Sequence, residues 1–512
     1  MRYLTVDDLT DVERRLVDAV ASGEPLDLVG PDEATDPAAR TGWGPERTVR
    51  GELVRQLLLD RFGWTAGDRP DPRGVRLRGA RLAGGLDLAE VESRLPLSLV
   101  DCVAEDTVRL TGSRLSAVDL SGLVGTNVVA REATIERAMR LAGARLECRS
   151  PEGTLDLGGT RLGTWLDLAG SHLVNTDPEG AVFNGNDLST GAGIFLSQGF
   201  RAEGGGPLGT VRLSGATIGG QAVLTGASLR NAAGPALVAD YLRTRSNLML
   251  GGEFHAEGRY ESGTLRLLGA DIGGRLVGDN GRVDAIDPDH LAVNLAQTHV
   301  AGDLFLPADF TDGLLLLTGL TYDGMARRAS LGQWLDMLAN RTPHYASQPY
   351  FQLASAHQAA GHERDVRRIH LARQRDLLRR GDLDFWGRLW HRITGLTVGY
   401  GYRPVTALVW WTGTVALSVL LITAVAGPSG AVQRSAVGDG RPSACSAAEQ
   451  VGLALTMATP LVKPGSQQPC LIDTTSHVGQ VVIAGTWVLQ ALGWAFVTLF
   501  VAGFTGLVRR SP

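Results

Sequence analysis

Leu157-Gly158-Gly159-Thr160-Arg161-Leu162 and, eleven residues on, Leu168-Ala169-Gly170-Ser171-His172-Leu173 are two copies of one phrase, Leu-x-Gly-(Ala/Ser/Thr)-x-(Leu/Ile/Val). Others run over 77–82, 110–115, 141–146, 213–218, 224–229 and 267–272. Spacing between copies is irregular, although steps of about eleven residues recur. Repetition at this scale marks a solenoid, in which each unit buries its apolar side only by stacking on its neighbours. Leu86-Asp87-Leu88 and Leu166-Asp167-Leu168 alternate apolar and polar residues with the period of a strand. Glycine supplies the sharp corner between strands, and the small residue beside it fits where coils stack closely. The expected fold is therefore mainly β, a parallel β-helix over 74–320.

Working outward, residues 1–70 read as short helices capping the open N-terminal end of that stack. Thr5-Val6-Asp7-Asp8 and Thr10-Asp11-Val12-Glu13 both have the capping-box form. On the other side, 325–402 reads as an adaptor. Pro349 to His357 makes one helix with Pro in a favoured first position, Gly361 breaks it, and a second helix follows over Glu363 to Arg380. Tyr350, Leu353, Ala354 and Gly361 resemble one tetratricopeptide helix pair. Asp384 to Ile393 mixes aromatic residues with Arg at amphipathic spacing, as in a segment lying on a membrane surface.

Pro404 to Ala426 and Val478 to Leu507 carry no charge and are long enough to cross a bilayer. Arg379, Arg380, Arg388, Arg392 and Arg403 precede the first, Arg509 and Arg510 follow the second, and the loop over 427–477 holds only Arg434, Arg441 and Lys463. The positive-inside rule then expects both termini in the cytoplasm and the loop outside. The polar, acidic start of the chain has no apolar h-region and does not read as a secretory signal. Cys445 and Cys470 both fall in the outside loop and are expected to form a disulfide, whereas Cys102 and Cys148 should stay reduced.

The chain has 512 residues, a net charge of −5 and 66 glycines, and its cations are arginines apart from Lys463. That balance gives no reason to expect a nucleic-acid partner. Thr397-Val398-Gly399-Tyr400-Gly401 spells a potassium-channel selectivity filter. The charged segment upstream argues instead for a membrane-interface elbow formed by Gly399, Tyr400, Gly401, Tyr402, Arg403 and Pro404. Val451 to Leu461 is too short to span but apolar enough to dip into a membrane, the layout of a two-helix pore protein; it also reads as an outer-surface amphipathic segment. Asp87, Asp119, Asp156 and Asp167 recur at similar places in the phrase. They read as outward, solubilising residues in preference to the paired carboxylates of a glycoside hydrolase. His357, His362 and His370 gather on the helix pair without the zinc-protease spacing and read as surface or core-edge residues, so no metal site is expected. No CxxC, Gly-x-Ser-x-Gly, P-loop or dinucleotide fingerprint is visible.

The phrase resembles the pentapeptide-repeat motif, close to Ala-(Asp/Asn)-Leu-x-x, but mostly lacks the Asp or Asn and carries insertions. Some pentapeptide-repeat proteins imitate DNA through an acidic face; here Arg is spread among the Asp and Glu. The whole layout, with Gln348-Pro349-Tyr350-Phe351-Gln352-Leu353-Ala354 and Gly399-Tyr400-Gly401-Tyr402-Arg403-Pro404, resembles a group of actinobacterial membrane proteins often labelled membrane-associated oxidoreductases. The resemblance implies redox chemistry with a cofactor that no residue identifies. The residues themselves favour a non-catalytic, membrane-tethered scaffold with a protein partner on the solenoid. An oxidoreductase with an unrecognised cofactor site and a two-span channel, homo-oligomeric through its spans, stay open as alternatives.

Overall fold

The computed structural model describes residues 4–29, 42–64, 69–382, 384–388, 405–434, 443–458 and 470–504. They fall into two compact units, Met1–Val366 and Arg367–Pro512.

The first unit is a parallel β-solenoid of four sheets, one of twelve strands and three of ten. We number them in the order the chain visits them. Leu97–Val100 lies in sheet 1, Val103–Ala104 in sheet 2, Val108–Arg109 in sheet 3 and Arg114–Leu115 in sheet 4, and Val118–Asp119 returns to sheet 1. At roughly 4.8 Å between strands, the longest sheet extends over about 50 Å. Its inward column runs Leu97, Val118, Met139, Leu166, Ile194, Ala222 and on to Ala326, all buried.

All eight phrase glycines, from Gly79 to Gly269, turn a corner at φ between +64° and +76°. The small residue after each is buried. Where it is Thr160 or Ser171, the hydroxyl donates to a carbonyl of the preceding coil at 2.6 Å. At other corners the same slot holds Glu90, Glu132, Asp187, Tyr241 or Gln297 at φ near +57°. Those copies lack the glycine, so the phrase skips them, which is one cause of its uneven spacing.

The second cause is coil size. Coils take 21 or 22 residues up to Met139 and 26 to 28 from there to Leu304. The extra residues leave at one corner, between sheets 2 and 3, as excursions over 149–154, 176–182, 205–210, 232–236, 259–264 and 286–290. Buried polar side chains tie them down. Asn175 donates to the Ser150 and Ala181 carbonyls at 2.9 and 3.1 Å, and Asn231 to those of Gly206 and Pro235 at 3.0 and 3.1 Å. Thr154 and Thr210 each donate 2.8 Å to a strand of the next coil. These bonds pair polar groups of the excursions within and between coils, so the stack absorbs them without losing register.

The open strand edges at both ends of the stack are covered. Helix α1 (Asp11–Ser22) starts on the Thr10–Glu13 capping box and presents Val12, Leu16, Val17 and Val20 inward. Helix α2 (Gly51–Leu58) lies on the first coil, where Arg55 donates 2.6 Å to the Asp87 carbonyl. Between the two, Leu26–Asp27 and Thr48–Arg50 join sheets 1 and 2, so the N-terminal segment belongs to the solenoid itself. At the far end α3 (Leu331–Asn340) and α4 (Ser347–Ala359) follow the last coil. Gln348 accepts from the Gly319 N–H at 2.8 Å and donates to the Leu320 carbonyl at 2.9 Å; Gln352 donates to that of Tyr322 at 2.6 Å. The two glutamines of the Gln-Pro-Tyr-Phe-Gln phrase thus replace a missing next strand. Pro349 stands third in α4, still in the first turn where its absent N–H costs nothing.

Glu13 holds the N-terminal segment together. Its side chain is 1% exposed and accepts from Arg50 Nε at 2.8 Å, a terminal guanidinium nitrogen at 2.6 Å and the Arg50 N–H at 3.0 Å. Burial alone would raise this carboxyl, but the Arg50 hydrogen bonds and the Thr10 N–H outweigh it and hold it below its ordinary value. A depressed carboxyl stabilises the fold above its unfolded value, about 4.3, and that contribution fades as pH falls through the folded value. Arg50→Ala, which strands the buried charge, should cost about 3 kcal/mol at pH 7. It should also abolish the rise in amide exchange of α1 expected of the wild-type chain as pH falls through the depressed Glu13 value.

In the second unit, α5 (Glu363–Arg380) begins before the boundary and ends within it. Helix α6 (Val405–Leu420), continued by a π turn over Leu421–Ala426, and α8 (His477–Phe504) pack together, and α7 (Ala447–Ala458) packs against both. Val405–Ala426 and His477–Ala502 are long and apolar enough to cross a membrane. Between them Val432–Arg434, Ser443–Ala444 and Cys470–Ile472 form a small antiparallel sheet, and Cys445 is disulfide-bonded to Cys470. This pair sits in a core with Ile422, Ala454 and Val482. Gly399, Tyr400, Gly401, Tyr402, Arg403 and Pro404 lie outside the described residues.

Candidate interaction face

Sheet 2 carries the most ordered chemistry on the solenoid surface. From Arg145 onward its strands lengthen to four residues, and their inward residues Leu146, Leu173, Ala202, Leu229, Ala256 and Val283 are buried. The residues on either side point outward in two columns fixed by strand register. One runs Arg145, His172, Arg201, Ser228, His255, Arg282, and the other Glu147, Val174, Glu203, Arg230, Glu257, Asp284. Four of the six strands therefore read basic-x-acidic.

Like charges directly adjacent across strands are unfavourable. The face relieves part of this by two diagonal pairs, His255 Nε2–Asp284 at 3.1 Å and the longer His172–Glu203 contact at 3.8 Å, and by the directly opposed Arg230–Glu257 pair at 2.9 Å. Arg145, Glu147 and Arg201 are exposed and have no ion pair among the described residues. Beside them, where coil size changes, a groove of about 620 Å³ is lined by Val103, Val124 and Val174 with Glu105, Arg145 and Glu147. Sequence reading missed this face because its residues lie 27 to 29 apart and align only through the strand register.

The four recurring aspartates have a different role. Each accepts the backbone N–H two residues on, at 2.9 to 3.0 Å in Asp87, Asp119, Asp156 and Asp167. This is the Asx turn that starts a corner. Asp119 and Asp167 share a column of sheet 1 with Arg140 between them, and Asp87 and Asp156 belong to sheet 3, so these four form no adjacent acid–base pair. The expectation that all are solubilising fails for Asp156, whose side chain is 1% exposed. It accepts from Arg131 and, at 2.8 Å, from Asn184, and faces the half-buried Arg212 charge. Burial lowers the Arg212 pKa against the pull of Asp156.

His357 and His362 come together, with ring centroids 5.5 Å apart, while His370 belongs to the second unit. Burial holds the His357 imidazole below its ordinary value. Comparison with known proteins finds no matching family model, curated protein or solved structure.

Proposed function

We propose that the chain is a membrane-tethered scaffold whose solenoid, on the cytoplasmic side, docks a second copy of itself through sheet 2. Two columns carry this reading, one basic apart from Ser228 and the other acidic apart from Val174 and Arg230. Rotating one copy by half a turn about an axis parallel to the stack exchanges the columns and keeps each strand at its own level. Arg201 then faces Glu203 of the second copy, and Glu203 faces its Arg201; the same holds for Arg145–Glu147, His255–Glu257 and Arg282–Asp284.

The membrane part is supported by the two long helices. Only 17% and 22% of their most apolar windows is buried, the opposite of a soluble core helix. Exposed charge pairs contribute about 0.5 kcal/mol each, too little for tight dimers in dilute solution. Confinement to a bilayer raises the effective concentration enough to make such a face useful.

The test is cross-linking of full-length protein in liposomes. Arg201→Glu and Glu203→Arg should each lower the dimer yield about tenfold, and the double exchange should restore it because the columns stay self-complementary. High salt should weaken the wild-type dimer. Single variants without effect, or an exchange that restores nothing, overturn the reading. A different co-purifying polypeptide would assign the face to that partner. A stoichiometric redox cofactor, or ion flux through the liposomes, would favour the enzyme or channel alternative.

A further inference from the structure

The turn between α4 and α5 closes in a form that brings particular side chains together. Gly361 sits at φ +77°, the Gly361 N–H donates to the Gln358 carbonyl at 3.0 Å, and the His362 N–H donates to the His357 carbonyl at 2.9 Å. These two bonds define a Schellman motif, whose geometry sets the residue after the glycine against the third-last residue of the helix. That contact is ordinarily hydrophobic. Here both positions are histidine.

Asp365, in the first turn of α5, adds a carboxylate 3.8 Å from His357 Nδ1. One donor atom from each of His357, His362 and Asp365 lies within 4.8 Å of the other two. The His357 side chain is 11% exposed, and its buried Nδ1 has no hydrogen-bond partner. An orphaned buried imidazole nitrogen is costly unless something occupies it.

We propose that His357, His362 and Asp365 bind one zinc-class divalent ion, which clasps the α4–α5 turn. Two imidazoles and a carboxylate are borderline-soft ligands of the kind zinc takes, with water completing a tetrahedron. Ligand bonds of about 2.0 to 2.1 Å place donor atoms about 3.3 Å apart, so donor separations of up to 4.8 Å must close by up to about 1.5 Å. The exposed His362 can make that movement by side-chain rotation, while the more buried His357 stays as the fixed ligand. The other clustered donors, Cys445, Glu449 and Cys470, offer no comparable site because both sulfurs are taken by the disulfide.

The test is equilibrium binding of cobalt(II), a spectroscopic substitute for zinc, to untagged full-length protein in detergent. One equivalent should bind with the intense visible spectrum of a tetrahedral ion, and zinc should displace it. His362→Ala removes an exposed ligand without disturbing the fold and should weaken binding by more than about tenfold, the loss that even an outer-shell change produces. His344→Ala, at an exposed histidine outside the cluster, should leave it unchanged. The proposal is overturned if the wild-type chain takes up no more cobalt than His362→Ala, or if the bound ion has the weak spectrum of an octahedral surface complex.

Discussion

Replacing Asp156 by alanine is expected to cost the solenoid about 3 kcal/mol, because it removes a buried, hydrogen-bonded carboxylate and leaves the half-buried Arg212 without its counter-charge. Asp156 accepts from Arg131, Asn184 and the Gly158 N–H, and it is the counter-charge nearest the half-buried Arg212. Alanine leaves the half-buried Arg212 without its counter-charge and the Asn184 amide without its acceptor, while the exposed Arg131 turns to solvent, and it removes the side chain that starts the corner. Asp156→Asn keeps the shape and much of the turn but loses the charge, so its cost should be smaller, about 1 to 3 kcal/mol. In a stack each coil contacts only its neighbours. The loss should therefore appear in native-state hydrogen exchange as faster opening of the coils around 155–158 and 183–186, with the distant coil at 314–327 unchanged. Uniform protection in all three places would show that Asp156 is energetically silent.

The second large effect is expected at Gly51, the first residue of α2. A Cβ there would stand 1.8 Å from the Gly85 carbonyl oxygen and 2.8 Å from its carbon. Both are backbone atoms, so no side chain can swing aside. Gly51→Ala should push α2 off the first coil at a cost of about 3 kcal/mol, the upper part of the range for overpacking. Gly143→Ala is the informative control. Nothing lies within 4 Å of a Cβ at that corner, but φ is +69°. Only the left-handed backbone is penalised there, by about 1 kcal/mol. Exchange of the α2 amides under native conditions separates the two variants: Gly51→Ala should expose them, and Gly143→Ala should leave them protected.

The solenoid was legible because its signals are local. A left-handed corner needs glycine, a stacked corner needs a small residue, and an inward column needs Leu, Val or Ile every second position. Each of these leaves a mark within six residues, as in Leu168 to Leu173. The helix break at Gly361 and the capping box at Thr10–Glu13 were readable for the same reason. Corners carrying Glu132 or Tyr241 escaped, because a non-glycine residue in the left-handed region gives no compositional warning.

The repeat, the inward columns, the two long apolar helices and the pairing of two cysteines in the loop between them follow from local sequence alone. Which coils carry excursions, why Asp156 is buried while Asp87 is not, how Gln348 and Gln352 close the last coil, and the alignment of basic and acidic residues into columns on sheet 2 emerge only in the folded stack. The difference is one of range. A corner or a cap is set by neighbours in the chain. Asp156 meets Arg131 and Asn184 only after 25 and 28 residues have wound one coil, and that distance exists solely in the stacked fold.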